Sequence, residues 1–404
     1  MFDFVLITPP SPFMIDDSVF PFLGPLYLSS VLKQNGYSVH VVDLFAKGSN
    51  KEIPPARIYG VTSTSPNFPA AVKVLQRIRE ERHNAWMVLG GAHATVCPKD
   101  GLDAGFNQVC VGEGEKAILK IAYGDKSIEI VEEPYISDLD TIPFPDRQAI
   151  DMSKYEYKTL GVRATSIVTS RGCKWNCSFC CQVWPKPPRF HSANYVLSEI
   201  TQLKAMGYFG LSFYDDELLL NWERDREIFQ GMGRMEIVYR FLTRADLITE
   251  EKVELLANTG CLEVFLGLES GSDRILKYGI HKGTTRAQNI QAVKILREHG
   301  IRVKTGIVIG LPGEDRESLK ETETMLDEIQ PEDVDFTILT PMKGSNIALH
   351  PERYDLKFEL GYTAYKSIPG QYVSTVSTSS LTSEEILAAR DRLEKKFKKE
   401  ALLR

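Results

Sequence analysis

No uninterrupted apolar run in this chain of 404 residues approaches the roughly 20 residues a helix needs to cross a bilayer. Positive charge is also in short supply. Lys+Arg is 48 against Asp+Glu 54, a net charge of −6. A mildly acidic chain does not bind nucleic acid through bulk charge, and Lys395, Lys396, Lys398 and Lys399 read as the solvated face of a last helix. The opening residues, MFDFVLITPPSPF, lack a basic segment and carry Asp3. A secretory leader is therefore not expected, and the expected compartment is the cytoplasm. Cysteines number only seven, an odd count in a long chain, which excludes the disulfide framework of a small secreted domain. No solenoid repeat is present, and low complexity is confined to Pro185-Lys186-Pro187-Pro188. Hydrophobic residues at 43% and charged residues at 25% match ordinary globular usage and exclude a disordered or collagen-like chain. At about 150 residues per domain, the length implies two to three domains.

What is present is strand–helix alternation, twice over. In the first stretch FVLIT, SVHVVDL, IYGVTS, WMVLGG and QVCVGEGE read as short buried strands. LGPLYLSSVLKQNGY reads as a helix ended by Gly36, and AAVKVLQRIREER as an amphipathic helix. Near-continuous apolar strands separated by helices predict a parallel, doubly wound sheet. SDLDTIPFPDRQAIDM, with two prolines and little periodicity, marks a boundary near residues 135–160. Beyond it strands are expected at SIVTS, LSFYD, VYRFLT, EVFLGL, VKTGIVIG and DFTILT. The helices between them are expected at Asn194–Met206, Trp222–Met232, Glu250–Ala257, Thr285–His299 and Glu317–Ile329. Six such units make an incomplete, open (β/α) barrel. An aromatic stretch from Tyr354 to Tyr372 follows, then a helix opened by a capping box at Thr382-Ser383-Glu384-Glu385. The organisation expected is thus a domain over 1–135, a linker over 136–160, a partial barrel over 161–345 and a C-terminal region over 346–404 that includes a candidate substrate cap.

The chemistry is concentrated in TSRGCKWNCSFCC. Cys173, Cys177 and Cys180 stand in a C-x3-C-x2-C arrangement directly after the first strand of the second alternation. Barrel active sites lie at that end of the strands. Thiolates suit iron–sulfur clusters or zinc. A [4Fe–4S] cluster takes four cysteines, so three here would leave one iron for a substrate or cofactor. Two other readings stand beside this one: a structural zinc site with His191 as fourth ligand, and a redox pair of Cys177 and Cys180. Cys181 reads as a packed or free thiol.

This spacing, with Phe179 before the last cysteine, resembles the radical SAM superfamily signature. LSFYDDELLLN, EVFLGLESGSDRILK and TGIVIGLPGE are similar, in order, to that superfamily's second-, fourth- and fifth-strand motifs. The first 130 residues resemble the cobalamin-binding domain that precedes the barrel in one subgroup, through ITPPSPF, GPLYLSSVLKQNGYSVHVVD, GVTSTSPNFPAAVKVLQRIR, VLGGAHAT and VCVGEGEKAI. The resemblance implies an α/β chain: a doubly wound, Rossmann-like cobalamin domain, a partial (β/α)6 radical SAM barrel and a small helical C-terminal region. It implies a [4Fe–4S] cluster on Cys173, Cys177 and Cys180, S-adenosylmethionine (SAM) and cobalamin as cofactors. The activity implied is methyl transfer from methylcobalamin to an unactivated carbon after a deoxyadenosyl radical removes hydrogen.

Candidate contacts follow from where strands end. For cobalamin these are Pro9, Pro10, Ser63, Thr64, Ser65, Gly90, Gly91, His93, Thr95, Gly112, Glu113 and Gly114. Glycines admit a large ring close to backbone, and hydroxyls can bond corrin amides; the same residues could simply build turns. The D-x-H-x-x-G pattern that supplies a histidine below cobalt is absent, so no histidine ligand to cobalt is expected, and a domain that has lost its corrin also fits that absence. For SAM the candidates are Asp216 for its ammonium, Arg244 for its carboxylate, Glu269 with Ser270 for its ribose, and Ile309 and Leu311 along its adenine, with Phe179 beside the cluster. Asp215-Asp216-Glu217 could equally be a magnesium site or a helix cap, Arg244 a surface cation, and Tyr214 either a group acting on substrate or a packed strand residue. The substrate class stays open among small molecules, lipids and peptides. A flavodoxin or ferredoxin is the electron donor implied. A non-methylating radical reaction and a corrinoid carrier without enzyme activity are the competing functions. A methylthiotransferase would need three further cysteines early in the chain, where only Cys97 and Cys110 occur.

Overall fold

The computed structural model describes residues 1–11, 19–46, 51–124, 126–358 and 373–398. It divides into two compact units, 1–156 with 183–185, and 157–182 with 186–404.

The first unit is built on a six-stranded parallel sheet. Its strands are β1 (Phe2–Thr8), β2 (Val39–Asp43), β3 (Ala56–Thr62), β4 (Trp86–Gly90), β5 (Gln108–Val111) and β6 (Ile130–Glu132), in spatial order β2-β1-β3-β4-β5-β6. The helices are α1 (Leu23–Gln34), α2 (Phe68–Glu81), the short α3 (Ala92–Val96) and α4 (Pro98–Asp103), and α5 (Gly114–Tyr123). Val5, Ile7, Met87, Leu89 and Val109 are fully buried, as a sheet covered on both faces requires. Strand order reverses between β1 and β3, so their carboxyl ends, Thr8-Pro9-Pro10 and Thr62-Ser63-Thr64-Ser65, flank the switch point. The proline-containing segment 137–156 is strapped onto α1. The Asp146 carboxylate accepts from Ser29 Oγ (2.7 Å) and Lys33 Nζ (2.6 Å), and the Phe144 carbonyl accepts from Ser30 Oγ (2.6 Å).

In the second unit a short β7 (Lys158–Thr159) pairs antiparallel with β8 (Val162–Ile167), and β9 (Ser170–Arg171) pairs antiparallel with β10 (Arg189–Phe190). From β8 the sheet runs parallel through β11 (Gly210–Phe213), β12 (Val238–Thr243), β13 (Cys261–Glu269), β14 (Arg302–Ile309) and β15 (Asp333–Ile338). Six parallel strands in an open order make the partial barrel. Its helices are α6 (Ala193–Ala205), α7 (Trp222–Arg234), α8 (Glu250–Asn258), α9 (Arg286–Glu298) and α10 (Arg316–Ile329), followed by α11 (Asn346–Leu349) and α12 (Ser383–Phe397). The Thr382/Glu385 capping box opens α12, which lies along β15: buried Arg390 donates to the Phe336 carbonyl at 3.2 Å.

The strand expected at SIVTS differs. β8 ends at Ile167; the Thr169 amide and the Thr169 and Ser170 hydroxyls turn to the Asp215 carboxylate, and Ser170 pairs with β10 and not with the parallel sheet. Most of the aromatic stretch offered as a substrate cap, including Tyr362, Tyr365 and Tyr372, lies outside the described residues, as does Lys399.

Candidate active site

The cysteine loop begins where β8 ends, and its start is held by buried side chains. Asp215 Oδ1 accepts from the Thr169 amide at 3.0 Å and the Thr169 hydroxyl at 2.9 Å. Burial pushes its carboxyl up to about 6. Arg224 donates to the carbonyls of Thr169 (2.7 Å) and His191 (2.6 Å) and pairs with Asp225. Asp216 accepts from the Gly172 amide at 2.8 Å. The middle of the loop is pinned at Ser178, whose amide donates to the Ile280 carbonyl (2.9 Å) and whose carbonyl accepts from the Ile347 amide (3.0 Å). Cys181, beyond the triad, donates to the Lys343 carbonyl at 3.2 Å.

None of the seven cysteines is in a disulfide. Cys177 is drawn down to about 6, chiefly because the Cys180 thiol donates to it, and further by the cations Lys282 and Arg244. Cys180 is pushed up by the same hydrogen bond, and Cys173 is raised by burial. Arg244 grips the loop from two sides: Nη1 lies 3.7 Å from Cys177 Sγ, and the guanidinium sits 4.0 Å over the Trp175 ring. Its fork is bidentate to Asp246 (2.9 and 3.0 Å), with a further bond to the Lys282 carbonyl at 2.7 Å. Arg244 is therefore a buried structural clamp, not the surface cation the sequence also allowed.

Lys282 has no signature in the sequence, yet it is buried at the site, 5% exposed, as deeply as Arg244. Its ammonium meets Glu269 Oε1 at 2.8 Å. Glu269 adopts φ +63 at the end of β13, where the register with β14 shifts. A Cβ on Gly267 would stand 2.6 Å from Glu269 Oε1 and 3.2 Å from Lys282 Nζ, so the pair occupies space that only glycine leaves open. Glu217 lies buried between Thr243 Oγ1 (2.6 Å) and the Arg244 amide (3.2 Å), and burial raises its carboxyl to about 7. Ser270 is buried, its hydroxyl 3.3 Å from Thr322 Oγ1. Ile309 and Leu311 are fully buried beside Gly310, whose amide donates to buried Glu314 at 2.6 Å. Tyr214 is 57% exposed at the end of β11, which does not match a packed strand tyrosine. Phe179 is half-buried.

His191, the candidate fourth ligand of the competing zinc reading, is held by other contacts. His191 stacks on Tyr195 at 4.0 Å, its amide donating to the Thr169 carbonyl. Among the described residues, Cys173, Cys177, Cys180 and His191 do not bring three ligand atoms within 4.8 Å of one another. One tetrahedral zinc, at about 2.3 Å per Zn–S bond, would hold its sulfurs about 3.8 Å apart. A four-iron cluster spreads its thiolates wider because each binds a different iron.

In the first unit the strand-end hydroxyls are largely engaged within the turns. Ser63 Oγ donates to the Thr64 carbonyl at 2.9 Å, Thr64 bonds Asn67, and Ser65 Oγ lies 3.0 Å from His93 Nδ1. Thr95 Oγ1 donates to the Gly91 carbonyl (3.0 Å) and accepts from the Gly112 amide (3.1 Å). Glu113 is buried against the Ile136 amide at 2.6 Å. Gly90, Gly112 and Gly114 are half-buried, Pro10 and Gly91 are exposed, and Pro9 is buried. The exposed and half-buried members are backbone surface, so the turn builds the ledge while its side chains stiffen it.

A model of the radical SAM superfamily matches residues 167–326, and a model of the B12 binding domain matches residues 17–122. An uncharacterized methyltransferase of Pyrococcus horikoshii is 28% identical over 91% of this chain and 85% of its own length. The anaerobic magnesium-protoporphyrin IX monomethyl ester cyclase of Cereibacter sphaeroides is 28% identical over 78% of this chain, which spans 58% of that protein. The fold is that of the radical S-adenosylmethionine methyltransferase TsrM from Kitasatospora setae, solved with cobalamin and a [4Fe–4S] cluster bound, at TM-score 0.73, 18% identity and coverage of 89% of this chain and 81% of that one. A radical SAM domain takes a [4Fe–4S] cluster and SAM, and a B12-binding domain takes a corrinoid; these are the cofactors. The residues present fit the cluster: three thiols on one pinned loop that do not all converge within 4.8 Å as a single zinc would require, with two buried cations beside Cys177. With the two matched domains in tandem, this chain is a radical SAM enzyme with a B12-binding domain ahead of its barrel.

Proposed function

We propose that the chain is a cobalamin-dependent radical SAM methyltransferase that adds a methyl group to an unactivated carbon of a small-molecule, lipid or peptide substrate, with a flavodoxin- or ferredoxin-type electron donor. When bound, the cluster and SAM supply a carbon-centred radical that removes hydrogen, and the corrinoid supplies the methyl group. Cys173, Cys177 and Cys180 would hold the cluster. Lys282 and Arg244 place positive charge against Cys177, which favours the anionic sulfur set. Arg244 has spent its fork on Asp246, so it positions the loop instead of clamping the SAM carboxylate. Asp216 holds the Gly172 amide and thereby the first turn of the loop. Tyr214 stands exposed at the end of β11, where a substrate can reach it. Ile309 and Leu311 are fully buried at the end of β14, an apolar backing that keeps water from the rim beside them.

The observation that carries this reading is the triad of free cysteines beside two buried cations, in a chain that also has a B12-binding domain. The test needs no known substrate. Anaerobically reconstituted protein, given cobalamin, reductant and SAM labelled in its methyl group, is expected to release deoxyadenosine and to acquire label on bound corrinoid; Cys177→Ala is expected to abolish deoxyadenosine. The similarity to a cyclase keeps a second reading in play, a radical reaction without methyl transfer. Deoxyadenosine with no labelled corrinoid would select it.

A further inference from the structure

A second constellation of ligating side chains lies in the first unit, in the connection between β4 and β5. The chain leaves β4 through Gly91, whose φ of +93 and close approach to Ser63 leave no room for a Cβ. It then makes the one-turn helices α3 and α4, with Cys97 (φ −136, ψ 60) as the corner between them. That corner brings the side chains four residues before and three residues after it to the same point. His93 Nε2, Cys97 Sγ and an Asp100 carboxylate oxygen all lie within 4.8 Å of one another, with Nε2 3.4 Å from Asp100 Oδ2.

The histidine is fixed for this arrangement. It is fully buried, Ser65 Oγ lies 3.0 Å from its Nδ1, and the Phe68 ring packs against it at 4.1 Å. A hydrogen bond on one ring nitrogen that aims the other is the usual outer support of a metal-binding histidine. Cys97 and Asp100 are half-buried, so solvent reaches the group.

We propose that His93 Nε2, Cys97 Sγ and an Asp100 carboxylate oxygen bind one divalent metal ion, zinc, with water as the fourth ligand. The donor set decides the metal. One sulfur, one nitrogen and one oxygen suit tetrahedral zinc, whereas magnesium and calcium take oxygen alone. The charge also closes: on binding, the Cys97 thiol gives its proton to solvent, and thiolate plus carboxylate neutralise the ion. The ion joins α3 to α4 and braces the turn that carries Gly90 and Gly91. This site is independent of whether the enzyme transfers methyl groups.

The test uses the full chain with its cluster reconstituted, so that the barrel cysteines are engaged, loaded with one equivalent of Zn²⁺ and then dialysed. Iron and zinc are counted together, and zinc-edge X-ray absorption counts sulfurs per zinc. The expected result is one retained zinc bearing a single sulfur. Cys97→Ala and Asp100→Asn each lower zinc retention by about tenfold or more, Ser65→Ala lowers it by about tenfold, and iron content is unaltered in all three. Zinc that washes out of the wild type, zinc bound by three sulfurs, or zinc retained in full by Cys97→Ala overturns the proposal. If Cys97→Ala fails to fold, the sulfur count in the wild type and the Asp100→Asn retention still decide it.

Discussion

Lys282 and Glu269 form a buried ion pair at the edge of the cysteine loop, 2.8 Å apart and almost wholly out of solvent. Such a pair contributes little net stability, but removing one partner strands a charge. Lys282→Met is expected to destabilise the cluster-free protein by about 3–5 kcal/mol in urea unfolding. Adding Glu269→Gln should recover most of that loss. Equal losses in single and double variants would mean the two groups do not act as a pair. Glu314 offers a different residue-scale test. Burial raises its carboxyl from 4.5 to about 8, despite the Gly310 amide donating to it. The native state therefore holds a proton that the unfolded state loses in that window. Stability is expected to fall as pH climbs from about 4.5 to about 8. Asp215 and Glu217, raised to about 6 and about 7, contribute with the same sign. Denaturant midpoints across that range should decline less in Glu314→Gln than in the wild type.

At the scale of elements, the connection after β13 is shaped by close approach. A Cβ on Gly271 would lie 2.6 Å from Thr322 Cα and 2.7 Å from the Glu321 carbonyl, both backbone atoms of α10. The Gly271 amide also donates to Thr322 Oγ1 at 2.9 Å. Backbone cannot swing aside as a side chain can. Gly271→Ala is thus expected to lower stability by about 1–3 kcal/mol, read from the urea midpoint. Gly283→Ala, with open space around its Cβ but φ +79, should cost about 1 kcal/mol through backbone strain alone. Sequence periodicity located β12 as built and placed α6 through α10 within a few residues, because each carries a long amphipathic or apolar pattern. It misplaced the first barrel strand. Polar Thr169 and Ser170 continue the apparent strand in sequence, but they leave the parallel sheet for the short β9–β10 pairing, with Asp215 at the end of β11 taking the Thr169 amide and both hydroxyls.

For the whole molecule, the segment expected as a linker is partly a strap on the first unit. Asp146 holds Lys33 and the fully buried Ser29 hydroxyl, and the neighbouring Arg147 is buried. Asp146→Ala leaves that hydroxyl without its carboxylate, at a local cost of about 1–3 kcal/mol. Since about 1.4 kcal/mol is tenfold in an equilibrium, trypsin should cut after Arg147 about tenfold faster. An unchanged rate would mean that the strap is held by other contacts.

The division between sequence and structure follows from range. Strand–helix alternation and the C-x3-C-x2-C spacing are short-range patterns, so two parallel sheets and the thiol triad were legible before any coordinates. The partners of the triad were not. Lys282 and Trp175 meet Arg244 and Cys177 only because the ends of β12 and β13 converge on the cysteine loop, and no local periodicity marks a lysine for burial. Likewise, nothing in the sequence shows that Arg244 pairs with Asp246 and the Lys282 carbonyl. Ligand identity is thus written in residue type and spacing, whereas charge environment and hydrogen-bond occupancy are decided when distant strand ends are brought together.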